Sequence, residues 1–311
     1  AVMRDAIRIE GLSKQLGASF FLDRVSFVVP EGGVYALVGA NGAGKTTLIK
    51  LLLNILRPSP GQASVLGVDS TKLSGQHFRR IGYISENQDL PGWMTVAALL
   101  DYLRPFYPTW DSSLERQMVD LFKLPLKQNL KHLSRGMRMK AGFACTLPFR
   151  PSVMVLDEPF SGLDPLVRDE LIEALLDSAQ ETTILLSSQD IGEMESFASD
   201  IGYLEQGRLL FSQEMSTLIS RFREVTVTFD YPPTLPGVGP KDWLHVEVTG
   251  AVARFVHCAY ENGSSEQELR TVFPSTRDVS FEPMSLRSIF LAIAKSEANR
   301  SEHDIAGGVG R

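Results

Sequence analysis

The stretch Gly39-Ala40-Asn41-Gly42-Ala43-Gly44-Lys45-Thr46-Thr47 constrains this chain more than any other. It satisfies the pattern G-x-x-x-x-G-K-[ST] at every defined position. The run Val34-Tyr35-Ala36-Leu37-Val38 precedes it, short and apolar, as suits a buried parallel strand. The run from Leu48 to Leu56 follows it, apolar nearly all round, as suits a buried helix. Strand, glycine loop and helix in that order define a phosphate-binding loop. Glycines let successive backbone N–H groups turn into one hollow, and the helix N-terminus adds partial positive charge there. Lys45 is placed to reach the phosphates, and the Thr46 hydroxyl to ligate a divalent cation.

Around this loop the pattern alternates strands with helices, which implies a mostly parallel sheet. Strands are expected at 7–10 and 25–29 before the loop, then near 63–68, 80–85, 153–156 and 183–187, with a helix over 166–179. From about 95 to 147 the strand signal disappears. Helices are expected near 96–103, 113–122 and 136–147, with Pro105, Pro108 and Pro125 between them. This reads as a helical insertion between two strands of one sheet. After about residue 220 the pattern shifts to period-two alternation at 225–229, 244–248 and 253–257. Helices near 265–273 and 286–294 complete a small α+β domain. The organisation expected is a first domain over 5–220, a second over 221–296 and a disordered polar tail over 297–311.

Two carboxylates, Asp157 and Glu158, stand at the end of the apolar run Val153-Met154-Val155-Leu156. An aspartate at the end of a parallel strand can hold Mg²⁺, often through water. Strand alternation points the next side chain elsewhere, so Glu158 is the candidate to take a proton from an attacking water.

Composition narrows the field. A net charge of −6 over 311 residues argues against a nucleic-acid partner. The two cysteines, Cys145 and Cys258, are far apart and lack metal-ligand spacing, so reduced thiols are expected. No apolar run reaches the roughly 18 residues of a membrane helix, so the chain is expected to be soluble.

Leu133-Ser134-Arg135-Gly136-Met137 resembles the LSGGQ signature of ABC ATPases, and Ser161-Gly162-Leu163-Asp164 resembles their D-loop. The motifs stand in that family's order over roughly residues 5–215. Tyr107-Pro108-Thr109-Trp110-Asp111, Leu90-Pro91-Gly92-Trp93-Met94-Thr95 and Glu282-Pro283-Met284-Ser285-Leu286 resemble the ATPases of bacterial ABC-2-type exporters.

The resemblance implies a P-loop NTPase fold of the ABC type, ATP and Mg²⁺ as cofactors, and ATP hydrolysis. It implies that Ser134 and Gly136 meet the γ-phosphate held by a second ATPase subunit, in a homodimer or a heterodimer. It also implies a separate membrane permease, exporting drugs, peptides or lipids, with the ATPase cytoplasmic and peripheral on the inner face of the cell membrane. Trp93 is a candidate for the permease contact.

Three departures from the family pattern stand out. Leu16 occupies the place of the adenine-stacking aromatic, with Phe20 or Phe21 as substitutes. Glu86 aligns with the glutamine that contacts Mg²⁺ and the attacking water; its carboxylate offers oxygens to Mg²⁺ beside Thr46 and Asp157 but adds negative charge near the γ-phosphate, with Gln88 as the alternative. Gln189 replaces the switch histidine; its amide can hydrogen-bond the γ-phosphate but cannot be protonated. Two other readings follow: a degenerate subunit that binds ATP and dimerises with little hydrolysis, and a soluble ABC ATPase unconnected with transport.

Overall fold

The computed structural model describes residues 4–16, 20–58, 60–86, 90–178, 181–233 and 240–307. Two compact units divide the chain, Ala1–Gln213 and Glu214–Arg311.

The first unit opens with β1 (Asp5–Leu16), β2 (Phe20–Pro30) and β3 (Val34–Val38), followed by α1 (Lys45–Leu52). Next come β4 (Gln62–Val65), β5 (Val68–Asp69), α2 (Gly75–Phe78) and β6 (Ile81–Ser85). Three helices follow: α3 (Val96–Leu103), α4 (Ser112–Leu121) and α5 (Arg135–Thr146). The unit ends with β7 (Val153–Asp157), α6 (Pro165–Ser178), β8 (Thr183–Ser188), α7 (Ile191–Met194), β9 (Asp200–Glu205) and β10 (Arg208–Glu214).

Six strands form one sheet in the order β10-β9-β3-β8-β7-β6. The pairings β3–β8, β3–β9, β6–β7 and β7–β8 are parallel. Every residue of β3, β7 and β8 is buried, which explains why these strands read as continuous apolar runs. Because β6 and β7 are neighbours, α3, α4 and α5 are an excursion between two adjacent strands, as the sequence pattern implies. A smaller sheet, in the order β2-β1-β4-β5, carries the first two strands; β1 is antiparallel to both β2 and β4.

The helix after the phosphate loop is shorter than its apolar run. It stops at Leu52, Asn54 turns left-handed at φ 58°, and Ile55 is 54% exposed. The Asn54 amide ties this turn down by donating to the carbonyls of Thr71 and Leu73, at 3.3 and 3.4 Å. The thiol of Cys145, within α5, has its pKa pushed up to about 12 by burial. Both cysteines are free of disulfides.

The second unit contains α8 (Met215–Arg221), β11 (Arg223–Phe229), β12 (Trp243–Thr249), β13 (Val252–His257), α9 (Ser264–Val272), β14 (Thr276–Pro283) and α10 (Leu286–Gly307). Its four strands pair antiparallel in the order β12-β13-β11-β14. Val225, Val227, Phe229, Trp243, Ala253, Phe255, Leu269 and Phe273 form its own apolar core.

The sequence reading does not anticipate every element. The helix α10 runs to Gly307, within the segment from residue 297 that the sequence reading treats as a tail. The strand β14 has no counterpart in the reading, because Thr276, Arg277, Asp278, Ser280 and Glu282 leave only Val279 and Phe281 to mark a period of two.

Candidate functional site

In the parallel sheet, the register sets the carboxyl ends of four strands side by side. Ser85 of β6 pairs with Asp157 of β7, Asp157 with Ser187 of β8, and Ser188 with Val38 of β3. Ligands of open α/β sheets bind beyond this edge. The loop Gly39–Gly44, the pair Asp157 and Glu158, Gln189 and Glu86 all follow from it directly.

The loop needs its glycines for two separate reasons. A Cβ on Gly39 would stand 2.2 Å from the Leu204 carbonyl oxygen, so the strand–loop junction has no room for a side chain. Gly42 and Gly44 adopt φ of 80° and 113°, which disfavours other residues. Gly44 caps α1, whose residues Leu48, Ile49, Leu51 and Leu52 are buried and hold the helix N-terminus at the loop. Ala40, Asn41 and Ala43 complete the turn, with the Ala43 N–H donating to the Ala40 carbonyl at 3.1 Å.

Lys45 is 5% exposed. Its ammonium donates to the carbonyls of Gly39 and Ala40 at 2.6 and 3.1 Å, and lies 3.0 Å from Glu158 Oε1. The Glu158 contact is an ion pair without hydrogen-bond alignment, since Oε1 is a buried oxygen that no donor meets. Thr46 Oγ1 donates to Asp157 Oδ1 at 3.1 Å. Glu158 sits in the left-handed region at φ 52°, a conformation that costs a non-glycine residue and recurs at functional positions.

Ser187, to which the sequence reading gives no role, organises this pair. It is fully buried, donates to Asp157 Oδ1 at 2.7 Å, and accepts the Glu158 N–H at 3.0 Å. One hydroxyl therefore fixes both the Asp157 carboxylate and the Glu158 backbone. The only signal in the sequence is a serine ending an apolar strand run.

Gln189 is exposed, and its backbone N–H donates to Glu158 Oε2 at 3.3 Å. Glu86 receives two donors on Oε1: the guanidinium of Arg135, and Ser161 Oγ at 3.3 Å. Ser134 is the N-cap of α5, accepting the Met137 N–H at 3.2 Å. Gly136 lies in the first turn of α5 facing Val167, where an added Cβ would come within 3.3 Å. A cleft of about 360 Å³ is lined by Asn41, Gly42, Gly44, Lys45, Thr46, Thr47, Glu86 and Glu158. The signature residues Ser134 and Gly136 do not line it. Gln88 and the side chains of Leu16, Phe20 and Phe21 lie outside the described residues.

A glycine loop feeding a helix N-terminus, a lysine and a threonine at its mouth, and a carboxylate pair on the neighbouring strand end define a P-loop nucleotide-binding site. Comparison with known proteins narrows this. Residues 22–161 match the family model described as ABC transporter. The bacitracin transport ATP-binding protein BcrA of Enterococcus faecalis is 31% identical over 231 residues, covering 72% of this chain and 74% of that protein. An uncharacterized ABC transporter ATP-binding protein of Nostoc sp. is 37% identical over 204 residues, covering 62% of this chain. That match spans 60% of the Nostoc protein's length. The solved structure of an ATP-binding subunit of an ABC transporter superposes with a TM-score of 0.63 at 28% identity, covering 69% of this chain and 92% of that one. The chain belongs to the family of ABC transporter ATP-binding proteins, which hydrolyses ATP.

Proposed function

We propose that this chain is the ATP-binding and ATP-hydrolysing subunit that energises a separate membrane permease, an exporter of the ABC-2 type. The observation that carries this reading is the convergence of Lys45, Thr46, Asp157 and Glu158 on one edge of the sheet. The likeness to a bacitracin transport ATP-binding protein supports export of a drug, peptide or lipid. No helix among the described residues is long and apolar enough to cross a membrane, so passage through the bilayer falls to the permease. Trp93, 77% exposed, is the proposed contact with it. In this reading the ATPase works at the cytoplasmic face of the cell membrane.

In this reading the loop amides of Gly39–Thr47 and the Lys45 ammonium hold the polyphosphate. A polyphosphate in the loop competes with Glu158 for Lys45, 3.0 Å away, and leaves the Glu158 carboxylate to accept a proton from water. Thr46 and Asp157 offer hydroxyl and carboxylate oxygens 3.1 Å apart, a hard-oxygen pair that fits Mg²⁺. Among the described residues no cluster of three or more His, Cys, Asp or Glu gathers, so Thr46 and Asp157 are the residues that would hold the ion. Mg²⁺ held there would neutralise charge on the phosphates. Ser134 and Gly136, outside the cleft, serve the site of a second ATPase subunit, across which ATP is sandwiched.

The test compares two variants in ATP titration and steady-state hydrolysis. Lys45→Ala should abolish ATP binding. Glu158→Gln should bind ATP, hydrolyse it far more slowly and accumulate as an ATP-bound dimer in size-exclusion. ATP binding by Lys45→Ala at the parent's affinity sinks the site. An intact chain that binds ATP without turnover, even with its permease, would favour the degenerate-subunit reading. Failure to co-purify a membrane protein would favour a non-transport ABC ATPase.

A further inference from the structure

Two of the acidic side chains at the proposed nucleotide site, Glu86 and Glu158, line the cleft itself. Among the described residues lining it, Lys45 is the one cation, and it is already paired with Glu158. A polyphosphate entering this cleft therefore meets the second carboxylate, Glu86, with no lining cation to offset it. The offset comes from outside the lining. Arg135, the first residue of α5 within the signature segment, donates from Nη2 to Glu86 Oε1. Ser161 adds a hydroxyl to the same oxygen at 3.3 Å, and among the described residues no donor meets Oε2.

The surroundings leave room for this guanidinium. Gly162, left-handed at φ 63°, lies against it; a Cβ there would stand 3.0 Å from Arg135 Nη1. Three segments distant in the chain thus meet at one charge pair: the end of β6, the turn after Glu158 and the start of α5. The planar fork of arginine suits a carboxylate in such a junction, whereas lysine would supply the charge without the fork.

We propose that Arg135 is a charge-compensating positioning residue of the nucleotide cleft, neutralising Glu86 so that this carboxylate can stand beside a bound nucleoside triphosphate. This rests on the ATP-binding reading above. The pair also couples the signature segment to the cleft of its own chain, because the same guanidinium belongs to the start of α5.

The test is a charge cycle in the full chain, reading the Kd for ATP with Mg²⁺ by calorimetry. Thermal melting checks that each variant is folded. Arg135→Gln should raise the Kd roughly three- to tenfold, since an unscreened carboxylate then faces the phosphates across a partly solvated cleft. Arg135→Lys, which keeps the charge, should stay within about twofold of the parent. The double variant Glu86→Gln/Arg135→Gln should match Glu86→Gln alone, because the arginine then has no charge to offset. A residue that only supports the fold would not show this rescue. Equal losses from Arg135→Gln with and without Glu86→Gln overturn the proposal, as does no loss at all. Failure of the parent chain to bind ATP overturns the functional reading itself, and this inference with it.

Discussion

Gln189 does not line the cleft, and substitution separates its observed backbone contact from the proposed role of its side chain. Its backbone N–H bonds Glu158 Oε2 at 3.3 Å and survives any change of side chain except to proline. The proposed γ-phosphate contact belongs to the amide alone. Gln189→Ala should therefore leave ATP binding intact and slow turnover, by about 1.5–3 kcal/mol for a hydrogen bond to a charged group. That is roughly tenfold or more if the bond is made in the transition state. Gln189→His should preserve turnover, since imidazole can donate the same bond. Steady-state hydrolysis at saturating ATP decides; parental turnover in Gln189→Ala would make the residue a spacer. At this scale the sequence is legible where function is contiguous. Gly39–Thr47 and the pair Asp157-Glu158 announce themselves because their geometry is local. Ser187 does not, because its role exists only once β7 and β8 are in register and set it beside Asp157. Arg135 is hidden for the same reason: its partner Glu86 is 49 positions away in the chain.

Among the elements, continuous apolar runs are the legible ones. The wholly buried strands β3, β7 and β8 are apolar runs that the sequence displays plainly. The strands β9 and β10 escape the reading, as does β14, which lies at the edge of its sheet and is mostly polar. One element carries a pH-dependent consequence. His257, the last residue of β13, is 2% exposed, and its Nε2 is a buried atom without a partner. Burial holds its pKa below the ordinary 6.5, against the opposing pull of Glu268 and Asp242. The folded state thus prefers the neutral imidazole. The stability this supplies is complete above pH 6.5 and is lost as pH falls through the lower folded value. Amide exchange in β11 and β13 should therefore quicken, relative to intrinsic rates, between pH 7.5 and about 5.5. His257→Gln should flatten that dependence; an unchanged slope would assign the acid sensitivity to other groups.

At the scale of the whole chain, the division into Ala1–Gln213 and Glu214–Arg311 separates the proposed chemistry from the second core. Every residue proposed to handle phosphate, metal or water lies in the first unit, and β10, an edge strand of its main sheet, ends at the boundary. The second unit has its own four-stranded sheet and its own core around Trp243, Phe255 and Phe273. Units with separate cores can fold separately. A chain ending at Gln213 should accordingly remain folded and bind ATP within about threefold of the full chain, a difference of less than ~0.7 kcal/mol. Hydrolysis is the more demanding readout, because the proposed sandwich needs two copies. If the second unit contributes to pairing, the shortened chain will bind ATP normally yet turn it over slowly, and the deficit will shrink as protein concentration rises. If the second unit has no part in pairing, turnover per chain will match the parent at every concentration. Calorimetry for binding, and hydrolysis measured across protein concentration, distinguish the two. A shortened chain that melts cooperatively but fails to bind ATP would refute the division of labour, since no phosphate-handling residue would have been removed.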